Sequence, residues 1–267
     1  MSAALFSLAV MIGANAFQET WDNANAAYEL GNYEAAAQGY EQLIASSVVD
    51  AGVFYNLGNA YSRGGHLGAA IANYERALRL DPKLERAREN LDQTLRQTEH
   101  NLARPLAPEW EQSLLFWHGG LRPAVSRGLA GLAWVAFWLA LALRQWRAIR
   151  YTRIVAVVLF LLAGLFSLSA WAKYQASDIA VAAAKTVPVR FGASEKETVR
   201  YELYEGDRVR VDEEQDGWVR VNTISGERGW AMARDFVRVG PPYEAFQGVA
   251  RGPNGQDGPT GRTTENN

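Results

Sequence analysis

The side chains able to do chemistry are sparse and poorly placed for catalysis. Three histidines, His66, His100 and His118, are scattered over 267 residues, and no two have metal-ligand spacing. Zero cysteine removes disulfides, thiolate nucleophiles and thiolate metal sites together. Ser7, Ser126 and Ser225 lie in no nucleophile elbow and have no evident histidine partner. Neither a phosphate-binding loop nor a dinucleotide fingerprint occurs, and Gly64-Gly65 falls in a turn. Asp212, Glu213, Glu214 and Asp216 could meet a cation, but they lack the spacing of a calcium loop, and a solvated turn accounts for them. These residues predict no enzyme, no metal and no cofactor. What remains is recognition chemistry: asparagine amides, which bond an extended backbone or a terminal carboxylate, and the indoles of Trp218 and Trp230, which stack.

The asparagines come with a repeat. Offsetting residues 24–44 by 34 places Asn25 on Asn59, Gly31 on Gly65, Tyr33 on Leu67, Ala36 on Ala70, Tyr40 on Tyr74 and Ile44 on Leu78. The second copy, Ala51 to Pro82, resembles a tetratricopeptide repeat, with Phe54 for the usual Trp, then Leu57, Gly58, Tyr61, Ala70, Tyr74, Ala77 and Pro82. Gly58 and Ala70 are small where two helices cross, Phe54, Tyr61 and Tyr74 fill the space around the crossing, and Pro82 ends the second helix. The first copy, about 18–47, is weaker, with Thr20 and Ala24 at the Phe54 and Gly58 positions. Residues 83–103 carry Leu84, Ala87, Leu91 and Leu95 at helical spacing and read as a polar capping helix. The concave face of such an array takes the first helix of each repeat, which offers Trp21, Asp22 and Asn25, then Tyr55, Asn56, Asn59 and Arg63 as a partner-binding groove. Asn25 and Asn59 either bond a ligand there or hold neighbouring helices in register.

From Ile179 to Val239 the pattern changes to short alternating runs with Gly- and Asp-rich turns, the mark of a small antiparallel barrel. Val189-Arg190-Phe191-Gly192-Ala193-Ser194, Gly206-Asp207-Arg208-Val209, Gly217-Trp218-Val219-Arg220-Val221 and Gly229-Trp230 resemble a bacterial SH3 domain, Ala193 replacing a frequent Pro. Trp218 and Trp230 are either a stacking surface for peptide or glycan or half-buried barrel residues. The tail 240–267 has the Gly, Pro, Asn and Thr content of a disordered segment.

Charge shows what positions these modules. The formal net charge of -2 is too balanced for a general nucleic-acid binder, and a mean hydropathy of -0.19 suits a soluble protein. Both averages conceal a division: residues 17–112 carry eight basic and fourteen acidic groups, whereas 113–172 carry six arginines and no acid. Within that acid-free part, 124–143 and 154–172 are apolar and long enough to cross a bilayer core, provided Arg127 reaches the headgroups. The connection 144–153 holds Arg144, Arg147, Arg150 and Arg153, which predicts that it stays in the cytoplasm and that both flanking domains lie on the other side. Trp110, Trp117, Trp171 and Tyr174 mark the opposite interface. Residues 1–16, an apolar run ending in Ala14-Asn15-Ala16, read as an export signal cleaved ahead of Phe17, the alternatives being an uncleaved anchor or a start codon placed too late; export in a bacterium places the soluble domains in the periplasm.

The expected order is therefore export signal 1–16, repeats with capping helix 17–104, juxtamembrane segment 105–123, two spans joined by a basic loop, barrel 177–239 and tail. The fold class is multidomain: an all-α repeat array, a transmembrane helical hairpin and a small all-β SH3-like barrel. That order resembles the BatE family, membrane proteins of bacterial aerotolerance operons. The resemblance implies a non-enzymatic scaffold in an inner-membrane complex with von Willebrand factor A-type proteins and a MoxR-type ATPase, linked to aerotolerance or envelope stress. The alternative is an envelope sensor whose SH3-like domain binds peptidoglycan or peptide.

Overall fold

The computed structural model describes residues 17–100, 102, 105, 113–115, 117–146, 151–175 and 178–243. The export signal at 1–16, Trp110, Arg147 and Arg150 of the basic loop, and the tail from 244 lie outside the described residues, as do the side chains of His118, Arg144 and Tyr174.

Five helices form the repeat array: α1 (17–29), α2 (Tyr33–Ala45), α3 (Ala51–Arg63), α4 (Leu67–Leu80) and α5 (Glu85–Leu95). The period of 34 is written into the helix ends. Gly31 and Gly65 adopt φ of 76° and 82°, and the next residue in each case returns its N–H to a carbonyl five residues back, Asn32 to Ala27 and His66 to Tyr61, both at 2.9 Å. Only glycine takes that left-handed turn without strain. The Asp50 carboxylate caps α3 through the N–H groups of Gly52 at 2.7 Å and Val53 at 3.3 Å. A Cβ on Gly58 would lie 2.7 Å from the Tyr74 ring, so the close crossing of α3 and α4 requires glycine there. In the first repeat Ala24 occupies that position, and the glycine has moved to the facing helix: a Cβ on Gly39 would sit 2.8 Å from the Ala24 Cβ. The crossing survives because the smaller residue can come from either helix.

Helices α6 (Pro123–Trp146) and α7 (Thr152–Gln175) form an antiparallel hairpin. Each contains 21 residues long and apolar enough to cross a membrane, Pro123–Leu143 and Arg153–Lys173, and only 11% and 17% of their most apolar 18-residue stretches are buried. Core helices of a soluble domain would be mostly covered. Here Leu132, Val135, Trp138 and Leu161 point outward, while Ala130, Ala140, Ala156 and Ala163 form the seam. Trp134 Nε1 donates to Ser167 Oγ at 3.2 Å, and Ser126 and Ser169 meet at 3.5 Å, so the buried hydroxyls and the indole are partnered across the hairpin.

The chain closes with seven strands, β1 (Ile179–Ala182), β2 (Thr186–Arg190), β3 (Val199–Tyr204), β4 (Arg208–Gln215), β5 (Trp218–Asn222), β6 (Arg228–Met232) and β7 (Phe236–Arg238), in the order β3-β2-β6-β5-β4-β1-β7 with antiparallel pairing throughout. Alternate residues Val187, Val189, Leu203, Val209, Val219, Val221 and Ala231 fill the interior. Asp216 (φ 49°) and Gly217 (φ 80°) make the two-residue turn between β4 and β5, where both central positions need positive φ.

The array and the barrel are packed together. Residues Gly68 to Ala77 of α4 are buried without interruption, which one face of a surface helix cannot produce. Ala70, Tyr74 and Ala77 face the repeat, and the opposite side meets β1 and β7. Strand β1 is buried on both faces: Ala180 and Ala182 enter the barrel, while Ile179 and Val181 join Val237 and Val239 in the core of the repeats. Gly68 N donates to Glu205 Oε1 at 3.0 Å, so a barrel carboxylate serves the first turn of α4, whose N-cap residue His66 makes no side-chain cap bond. A Cβ on Gly68 would run into the Ala182 carbonyl oxygen.

Charges cross the same boundary. Arg208 Nη1 lies 3.3 Å from Glu75 Oε1, with both side chains nearly inaccessible at 11% and 4% exposure. Arg76 is buried; its Nε donates to the Arg238 carbonyl at 2.9 Å, its Nη1 to Asn73 Oδ1 at 3.1 Å, and its guanidinium lies 5.6 Å from the ring centres of both Phe54 and Tyr243. The base of α4 also reaches the hairpin: Arg79 Nη2 donates to the Lys173 carbonyl at 2.7 Å, and Asp81 is ion-paired with Arg122, just ahead of α6.

Candidate functional site

The concave side of the array carries a polar hollow of about 530 Å3. Tyr55, Asn59 and Arg63 of α3 line it, with Tyr28 from α1, Tyr74 beneath, and Asn90, Gln93 and Gln97 from α5 and its exit. The other groove residues expected from sequence lie outside this lining. Trp21 is half-buried, stacked on Phe17 at 6.2 Å and edge-on to Tyr40 at 5.8 Å. Asp22 accepts from Gln18 Nε2 at 3.0 Å on the exposed side of α1.

Asn25, Asn56 and Asn59 belong to a hydrogen-bond relay that repeats with the helices. Tyr40 OH donates to Asn25 Oδ1 at 2.6 Å, which Asn56 Nδ2 approaches at 3.5 Å. One repeat on, Tyr74 OH donates to Asn59 Oδ1 at 2.8 Å, and Asn90 Nδ2 donates to the same oxygen at 2.8 Å. Both amide oxygens are thus engaged in tying neighbouring helices together. Burial pushes the Tyr40 phenol up to about 12 and raises Tyr61 and Tyr74 as well, so these hydroxyls remain protonated donors at neutral pH. Asn90 lies 34 residues after Asn56, so the repeat offset runs on into α5. Gln93 and Gln97 fall on the same offset, 34 residues after Asn59 and Arg63.

A second depression, about 800 Å3, opens on the barrel. It lies between Ala193–Glu195, the Glu214–Gly217 turn with Trp218, and the segment Met232–Arg238, with Pro242 and Arg76 at its edge. Trp218 lines it. Trp230 does not; Arg220 stacks over its ring at 5.9 Å, and both indoles are half-buried. The acidic cluster is divided among arginines: Glu213 meets Arg220 at 2.7 Å, Asp212 approaches Arg228 at 4.0 Å, and Glu214 is ion-paired with Arg238. Among the described residues no group of three or more His, Asp or Glu could hold a metal ion. His66 packs edge-on against Tyr61. His100 packs its ring on Tyr204 at 4.6 Å and stands 4.0 Å from Asp207, whose carboxyl is raised by burial and held back by N–H bonds from Tyr204 and Leu102. Ser126 belongs to the hairpin seam and Ser225 bonds Thr223 at 2.7 Å, so neither stands as a nucleophile beside a histidine. Ser7 lies outside the described residues.

Comparison with known families agrees with this anatomy. Residues 51–84 match the tetratricopeptide repeat, and residues 185–238 match the bacterial SH3 domain. No curated protein matches the chain. Both matched modules are typically binding domains without catalytic activity, and no enzyme family is found. The chain is a multidomain protein in which a helical repeat array and an SH3-type barrel, modules of protein or peptidoglycan binding, accompany two apolar helices consistent with membrane association.

Proposed function

We propose that the protein is a membrane-anchored, non-catalytic scaffold whose repeats bind a partner protein in the concave hollow, while the hairpin holds it in a bacterial inner membrane. The observation that carries this reading is the contrast within the array: its back is covered by the barrel, and its concave side keeps a polar hollow with Arg63, Gln93 and Gln97 exposed at the rim. A polar, largely preformed groove suits an extended segment bonded through amides. The contact between array and barrel supports placing both on one side of the membrane, because a hairpin crosses twice, and the arginine-rich connection supports assigning that side to the periplasm. By resemblance to the BatE family, the partners would be von Willebrand factor A-type proteins with an associated MoxR-type ATPase, in a complex serving aerotolerance or envelope stress. A second reading, recognition of peptide or peptidoglycan by the barrel, is favoured by the separate groove beside Trp218.

The test is crosslinking with mass spectrometry in native membranes, comparing the natural chain with the triple variant Arg63→Glu, Gln93→Ala, Gln97→Ala. These three side chains are exposed, so the fold is expected to survive. Loss of the crosslinked partners supports the scaffold reading; unchanged recovery contradicts it.

A further inference from the structure

Short connections make neighbouring helices of the array run antiparallel, which gives the array two distinct ends. The start of α1 and the connections 46–50 and 81–84 lie at one end, and the turns 30–32 and 64–66 at the other. The first end is the one tied to the hairpin. Arg79 Nη2 donates to the carbonyl of Lys173, the last residue of one apolar stretch, and Asp81 is ion-paired with Arg122, the residue before the other stretch begins. With the hairpin in a bilayer, the connection 81–84 therefore stands at the membrane surface. The connection 46–50, one repeat along, stands beside it, because repeats stack side by side.

That end is apolar. Val49 is half-exposed, and Phe17, Leu43, Ala45 and Val48 line an open depression of about 640 Å3 between the start of α1 and the end of α2. The opposite turns offer the exposed Leu30 alone among Gly, Asn and His. Charge at the membrane-side end favours an anionic surface. Of the two carboxylates in its connections, Asp50 caps α3 and Asp81 is held by Arg122, whereas Lys83 is exposed and makes no ion pair among the described residues. We propose that this end of the array rests on the bilayer, with Val49 and the apolar depression among the lipid headgroups and Lys83 at lipid phosphate. The lipid contact continues the array's contact with the hairpin and stops the array from swinging about it. The inference rests on reading the hairpin as a membrane anchor and is independent of the concave hollow.

The chain has no cysteine, so one introduced thiol carries a nitrobenzoxadiazole label without competition. The full chain, labelled in turn at Val49→Cys, Glu34→Cys and Leu139→Cys, is reconstituted into vesicles of phosphatidylethanolamine and phosphatidylglycerol with or without a lipid carrying a shallow nitroxide quencher. All three positions are exposed, so the fold is expected to survive. Leu139 reports on the span itself, and Glu34 lies about 16 Å along α2 from its membrane-side end. The label at position 49 should shift to the blue on reconstitution and lose emission to the quencher, as should the label at 139, while the label at 34 keeps its emission. Quenching at 139 with none at 49 would overturn this inference and leave the membrane anchor standing. No quenching at 139 would overturn both. A label at 49 that shifts to the blue but escapes the quencher would place protein over the depression, either residues 1–16 or a second copy of the chain, and also overturns the proposal.

Discussion

The two sides of the repeat array use polar residues for opposite ends. On the concave side Arg63, Gln93 and Gln97 stand in solvent around an open hollow. On the other side Asn73, Glu75 and Arg76 look in sequence like a solvated helix face, yet all three are buried. Burial of charge is tolerable only with a partner, and each has one: Glu75 meets Arg208, Arg76 meets the Arg238 carbonyl and two rings, and Asn73 bonds both Arg76 and the Ala69 carbonyl. The covered side is committed to holding the barrel.

That contrast is most easily broken at Glu75. Replacing it by Ala leaves Arg208 buried without its carboxylate and should destabilise the folded chain by about 3 kcal/mol, read as a lowered thermal transition. Gly68→Ala should cost about 1–3 kcal/mol. The sign is diagnostic, because the same change in an exposed helix interior stabilises by up to about 1 kcal/mol. Here the added Cβ meets the Ala182 carbonyl, and the variant should be cut faster by protease than the natural chain. The array's link to the hairpin gives a smaller, pH-dependent effect. Arg122 holds the Asp81 carboxyl below its usual range, so the pair contributes its stability above the ordinary carboxylate pKa and loses it as pH falls through the lowered value. Acidification should therefore loosen the repeat–hairpin contact in the natural chain, and Asp81→Asn should abolish that part of the pH response. The least effect on folding is expected at the rim: Arg63→Ala should change stability by less than about 0.5 kcal/mol while reducing partner recovery.

Much of this architecture was legible in local signals. Gly31 and Gly65, Gly58, and the Asp216-Gly217 turn each mark a backbone requirement that one residue type meets, and the apolar runs at 124–143 and 154–172 exceed what an ordinary soluble helix needs. The docking of the barrel was not legible, because it joins residues more than a hundred positions apart through complementary surfaces. Two traces of it do exist in the sequence. Ile179-Ala180-Val181-Ala182 has four apolar residues in a row where a half-exposed strand would alternate, and Gly68-Ala69-Ala70-Ile71-Ala72 has no polar residue for the side of α4 away from α3. Each is short enough to read as an ordinary strand or helix segment. The concave site was legible in part: Tyr55, Asn59 and Arg63 do line the hollow, whereas Trp21 turns towards Tyr40 and the asparagine oxygens serve the relay between helices.

The buried Glu75–Arg208 contact should couple the repeats and the barrel into one cooperative unit. A double-mutant cycle on the full chain, using Glu75→Gln, Arg208→Met and the pair together, measures it directly by thermal unfolding. A coupling of at least about 1 kcal/mol, with both domains unfolding in a single transition, is the predicted result. Additive effects, or a barrel that melts independently of the repeats, would contradict it.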